Sequence, residues 1–122
     1  MRVYLAGPMR GIRDFNFPAF KEGADHLRRL GHDVFSPAER DLAEVGDIFD
    51  SDTGDLEEII RRGFSLREAL AADMVWIARH GEAVVLLPGW ETSKGATAEA
   101  ALGHALGIAV QTFDEFVTAK VA

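Results

Sequence analysis

The sequence predicts an α/β domain in which a parallel sheet is covered by helices on both faces. Three observations carry the prediction. Short apolar runs alternate with helix-length amphipathic runs, the short runs are bounded by glycine and proline, and no internal repeat or low-complexity linker interrupts the order. A chain of 122 residues, 48% of them apolar and 27% charged, is large enough to bury one core without staples, so residues 1–122 read as a single domain.

Val3 to Ala6 reads as a buried strand stopped by Gly7-Pro8. Asn16 stands where an N-cap belongs for a helix from Phe17 to Leu30, with Pro18 in its first turn and Gly31 closing it. Asp33 to Phe35 is a short second strand ended by Ser36-Pro37. Residues 38 to about 62 are acidic and poorly periodic, with a helical stretch near Leu56 to Arg62. Ser65 and Glu68 have the capping-box spacing and open a helix that runs to His80 and Gly81. Ala83 to Leu87 is the most apolar strand and stops at Pro88-Gly89. A helix from about Gly95 to Leu106 ends at Gly107, Ile108 to Gln111 forms the last strand, and Asp114 to Lys120 a terminal helix.

Charge and composition exclude several classes of function. Residues 39–58 hold nine acids against Arg40, so this stretch carries −8 and the remainder +1. Such a balance argues against long nucleic acid, which needs a basic surface to displace counterions, but leaves room for a single nucleotide in a small basic pocket. No cysteine is present, so neither disulfides nor a thiolate zinc site can form. The four histidines lack metal spacing, and no metal or other cofactor is expected. The acidic run fails the calcium-loop template: counted from Asp50, position five is Gly54, position six Asp55 and position twelve Arg61. It reads as a solvated loop able to close over a site. Apolar runs are too short for a membrane span and no signal peptide fits the start, so the expected setting is the cytoplasm.

In an open parallel sheet, ligands bind beyond the carboxyl ends of the strands where strand order reverses. The loops Gly7 to Arg13 and Pro88 to Lys94 should therefore face each other across the site, and their glycines with Arg10, Gly11, Arg13, Ser93 and Lys94 suit an anion. Asp73 interrupts the apolar stripe of Leu66, Ala69, Leu70, Trp76 and Ile77, where an unpaired carboxylate is costly. It is either a site residue or a structural carboxylate held by backbone or arginine. Glu99 shares a helix face with Gly95, Leu102, Gly103 and Leu106, glycines that allow close approach of a ligand or another backbone; a solvated first-turn glutamate is the other reading. Ser93 is equally an N-cap or, with the helix amides and Gly95, a phosphate contact. Trp90 is placed either to stack on a base or to anchor its loop. Tyr4, the only tyrosine, lies on the strand face opposite Val3 and Leu5, and its hydroxyl needs a buried partner.

Taken together, Tyr4 running into Ala6-Gly7-Pro8, the segment Ala72-Asp73-Met-Val-Trp-Ile77, and Ser93-Lys-Gly95-Ala-Thr-Ala-Glu99 resemble the nucleoside 2-deoxyribosyltransferase superfamily. The likeness is nearest to its small phage and bacterial members with a Leu-Pro-Gly-Trp-Glu loop, and the 2′-deoxynucleoside 5′-monophosphate N-glycosidases form a more distant branch. It spans Tyr4 to about Gly107, and the serine-to-glutamate segment is its most specific part. The resemblance implies a flavodoxin-like three-layer α/β/α sandwich with a parallel sheet of four or five strands, no metal or cofactor, and a homodimer or higher homo-oligomer. It further implies Glu99 as nucleophile, Asp73 as the carboxyl on the base side, Tyr4 as the residue orienting Glu99, and Ser93 as a 5′-phosphate contact. The substrate implied is a small nucleoside or nucleotide whose N-glycosidic bond is cleaved. This sequence departs from the pattern in two places: Pro8 stands where the nucleotide-cleaving branch has a serine, and the acidic segment has no counterpart in the matched motifs. Two rival readings stand beside it, a phosphoribohydrolase and a non-catalytic nucleotide-binding module. The usual phosphoribohydrolase signature, Gly-Gly-x-Gly-Thr-x-x-Glu, is poorly matched by Pro88-Gly89-Trp90 to Glu99.

Overall fold

Four strands, β1 (Arg2–Ala6), β2 (Asp33–Phe35), β3 (Ala83–Leu86) and β4 (Ala109–Thr112), form one all-parallel sheet in the order β2-β1-β3-β4. They belong to a computed structural model that describes residues 1–119; Lys120, the expected end of the terminal helix, lies outside the described residues. Six helices accompany the strands among the described residues: α1 (Phe17–Arg29), α2 (Pro37–Val45), α3 (Leu56–Arg61), α4 (Leu66–His80), α5 (Lys94–Leu106) and α6 (Phe113–Ala119).

The alternation of a strand divides β1 between two cores. Val3 and Leu5 pack with Phe20, Ala24 and Leu27 of α1 and Phe116 of α6. Tyr4 and Ala6 point the other way, onto Ile77 of α4 and Ala96 and Ala100 of α5. Both faces of the sheet are thus covered, which is the three-layer, flavodoxin-like arrangement expected of apolar parallel strands. Register places Val3 beside Val34 and Ala83, and Ala6 beside Leu86, so β1 and β3 end level with one another.

Helix starts follow local chemistry. Ser65 Oγ accepts from Glu68 N at 3.3 Å, Ser93 Oγ from Ala96 N at 3.1 Å, and Asp55 Oδ1 from Glu57 N at 3.0 Å, each satisfying an amide that its helix leaves free. Asn16 precedes α1 as expected but makes no capping bond. It is left-handed, and its side-chain amide donates instead to Pro8 O at 3.0 Å.

The acidic stretch departs most from expectation. Its first third is α2, entered through Ser36-Pro37 rather than merely following the strand that ends there. The part after α2 is packed, not solvated: Phe49 and Ile59 join Phe15, Phe64 and Ala69 in a third apolar cluster. Backbone bonds from Gly11 N to Gly54 O (2.9 Å) and from Asp14 N to Ser51 O (2.6 Å) tie it to the loop after β1. Apart from Asp41, the acidic side chains along the segment face water while its scattered aromatic side chains face inward, a division that no simple period announces.

Candidate active site

Chain order reverses between β1 and β3: β1 is followed in sequence by β2 on one side of it, and β3 lies on the other. The loops leaving the carboxyl ends of these two strands therefore split around a crevice. They meet closely, since Leu87 N donates to Ala6 O at 2.8 Å and a Cβ on Gly7 would lie 2.9 Å from Leu87 Cβ. The crevice opens into a cavity of about 460 Å³. Its walls are the loop Gly7 to Ile12, the start of α5, a face of α4, and the packed acidic segment with Phe49, Leu56 and Ile59.

Three carboxyls reach this cavity from three helices. Asp73 continues the Ala69–Ile77 stripe of α4, Glu99 shares the inner face of α5 with Ala96, Ala100 and Gly103, and Asp41 lies on the inner face of α2 with Ala38. They are 5%, 5% and 4% exposed. Beneath them the fully buried Tyr4 donates its hydroxyl to Glu99 Oε2 at 2.6 Å, the buried partner that the sequence required. Asp73 neighbours both Tyr4 and Glu99, yet among the described residues its Oδ1 has no hydrogen-bond partner. Asp41 meets Arg40, whose Nη1 stands 3.3 Å from Oδ1.

Burial raises the proton affinity of all three. Glu99 is pushed up to about 8, first by loss of water; the Tyr4 hydrogen bond pulls back and the charge of Asp73 adds to the rise. Asp73 is pushed up to about 7 by burial and then by the charge of Asp41, against the pull of Tyr4. Asp41 rises to about 6 through burial, moderated by Arg40. Burial among these carboxylates holds the Tyr4 hydroxyl well above its ordinary value, so it remains a donor. Both values are raised, so near neutral pH the two act as a pair that retains a proton in common.

Basic groups line the cavity as well. Arg10, Gly11, Ser93, Lys94 and Gly95 all line it, and neither Arg10 nor Lys94 takes part in an ion pair among the described residues. Ser93 caps α5, but capping uses an oxygen lone pair and leaves its O–H free to donate. A Cβ on Gly95 would make ordinary contact with Leu70 Cδ2 at 3.8 Å and Ser93 Oγ at 3.9 Å, whereas Gly103 serves helix-on-sheet packing against Val84 and Val110. Two sequence candidates sit elsewhere. Trp90 packs on the Tyr4–Ile77 cluster and is absent from the cavity lining, so of its two readings the loop anchor describes its place. Arg13 turns to Asp52 at 3.8 Å. Asp41 is the site residue that sequence reasoning missed, and its only early signal was Ser36-Pro37-Ala38-Glu39, a capping-box spacing just upstream.

Among the described residues no group of three histidine or acidic side chains is arranged to hold a metal ion. No described helix is long and apolar enough to cross a membrane. No curated protein and no solved structure matches the chain. A family model described as "Domain of unknown function (DUF4406)" matches residues 1–112, which is most of the sequence. A match over that span carries the whole sheet and all three cavity carboxyls, and the chain belongs to the DUF4406 family.

Proposed function

We propose that this protein is a cytoplasmic enzyme, working as a homodimer or larger homo-oligomer, that cleaves the N-glycosidic bond of a 2′-deoxynucleoside or its 5′-monophosphate. The observation that carries the proposal is the buried Tyr4–Glu99 hydrogen bond with Asp73 beside it, against a cavity that Arg10 and Lys94 also line. The resemblance to the nucleoside 2-deoxyribosyltransferase superfamily assigns the same three residues the same chemistry.

Breaking a C1′–N bond leaves an oxocarbenium-like sugar and puts an electron pair on the base nitrogen. Glu99 in its charged form attacks C1′ and forms a glycosyl ester, while the departing nitrogen takes the proton of Asp73. Water then attacks C1′, giving its proton to Asp73, and the C1′–Oε bond breaks to restore Glu99. Transfer to a second base follows the same course with that base in place of water. The shared proton of the ligand-free pair suits this scheme. Passing it from Glu99 to Asp73 needs no exchange with solvent, and the Tyr4 hydroxyl stabilises the charge left on Glu99. A 5′-phosphate suits the part of the lining formed by Ser93 with its O–H, the start of α5, Arg10 and Lys94.

Base release from matched 2′-deoxy and 2′-hydroxy nucleosides and monophosphates, followed by chromatography, tests the reading. Release from deoxy substrates is expected, with Glu99→Gln lowering the rate by several orders of magnitude while retaining an acceptor for Tyr4. A 2′-fluorinated substrate with a good leaving base should leave one sugar on a peptide containing Glu99. Full activity of Glu99→Gln, or release from ribonucleotides alone, defeats the proposal.

A further inference from the structure

The cavity lining asks for two kinds of chemistry. An anionic group is repelled by Asp41, Asp73 and Glu99 and drawn to Arg10 and Lys94. The carboxyls are short of donors: among the described residues Asp73 Oδ1 is buried without a hydrogen-bond partner, and Asp41 meets Arg40 through one oxygen. Buried acceptors left in this state are costly, and a bound group carrying N–H bonds relieves the cost where a carbonyl adds to it. The lining also includes Phe49, Ile59 and Phe64, an apolar surface suited to a flat ring.

We propose that Asp41 determines which base is accepted, by taking a hydrogen bond from an exocyclic amino group, so that adenine- and cytosine-type bases are cleaved in preference to their oxo counterparts. The inference rests on the N-glycosidase reading and adds its specificity. Asp41 enters from α2, which packs against α4, the helix that carries Asp73, and its charge raises the proton affinity of Asp73. It therefore stands on the side of the carboxyl assigned to the leaving base. Arg40 Nη1, 3.3 Å from its Oδ1, favours its charged form, which is able only to accept. A base with an oxo group in that position sets lone pairs against lone pairs. An amino group placed there is held by a charge-assisted bond.

The test compares pairs that differ only in this group: 2′-deoxyadenosine with 2′-deoxyinosine, and 2′-deoxycytidine with 2′-deoxyuridine, each as nucleoside and as 5′-monophosphate. For the native protein kcat/KM should favour the amino member of a pair by at least about tenfold. Asp41→Asn, folded by circular dichroism, offers donor and acceptor alike and should bring the ratio close to unity. Asp41→Ser serves the same comparison should the asparagine variant not fold. Equal kcat/KM for both members in the native protein overturns the assignment, as does an unchanged preference in a folded variant; in either case base release itself persists. Absence of base release from every substrate removes the N-glycosidase reading, and this inference with it.

Discussion

Asp73 and Glu99 occupy helix positions that a fold under no functional demand fills with alanine or leucine. Burial makes their charged forms unfavourable, and the pH dependence of stability follows with a definite sign. Their values are raised from 3.8 to about 7 and from 4.5 to about 8, so between about pH 4 and pH 8 the folded protein holds more protons than the unfolded chain. The contribution of these groups to stability is most favourable below that window and is lost as pH rises through it. Asp41 and Arg40 of α2, Tyr4 of β1 and Glu99 of α5 all face Asp73, so its titration belongs to the group rather than to one residue. Asp73→Asn, which carries no charge, should raise stability at pH 8 by on the order of 1 to 3 kcal/mol and add little at pH 4. Thermal melts at the two pH values check this, and an equal gain at both would refute the origin given. The same substitution should strongly reduce base release, because the leaving nitrogen loses its proton source. Asp73 was visible beforehand because it breaks an apolar stripe. Asp41 was not, because it lies among so many other acids that its inward direction leaves no mark.

At the scale of elements, the segment between α2 and α3 acts as a strap across the loop that follows β1. That loop leads into Asp14, Phe15 and Asn16, three consecutive non-glycine residues with φ of 53°, 53° and 63°. Left-handed backbone at such residues costs on the order of 1 kcal/mol or more each, and it persists where its surroundings dictate it. Here Phe15 is buried against Phe49 at a ring separation of 5.7 Å, Asp14 Oδ1 accepts from Ser51 N at 3.1 Å, and Asn16 holds Pro8 O. Gly54 is the close point. Its φ is +66°, and a Cβ there would stand 2.4 Å from Ile12 O and 2.6 Å from Ile12 N. Gly54→Ala should lift the strap from the loop and destabilise the protein by more than about 1 kcal/mol. Faster amide exchange at Gly11 and Asp14, whose N–H groups the strap holds, together with weaker nucleotide binding, is the expected record. Unchanged exchange at both amides would show that the strap is not held there.

For the whole molecule, the outer side of the α4–α5 layer leaves Val75 48% and Leu106 43% exposed. The proposed self-association is expected to use this side. Sedimentation at micromolar concentration should give at least twice the mass of the 13.3 kDa chain, with Val75→Glu shifting it toward monomer. A native protein that sediments only as monomer would end that proposal.

The sequence by itself determined the layered α/β architecture, the helices α1, α4, α5 and α6, and the meeting of the loops after β1 and β3. These rest on local periodicity, on caps such as Ser65 and Ser93, and on strand-ending glycine and proline, all of which act within a few residues of chain. It also singled out Tyr4, Asp73 and Glu99, since a polar group in an apolar pattern is conspicuous wherever it falls. The bond from Tyr4 to Glu99 across 95 residues was implied by the family resemblance and by no local pattern; only the tertiary structure decided that Trp90 turns to the core and Arg13 to Asp52, and that the acidic stretch walls the cavity and contributes Asp41. The reason is physical: those outcomes depend on which buried donor finds which acceptor, and on how one aromatic cluster packs. Both are settled by contacts between distant segments, to which local patterning is blind.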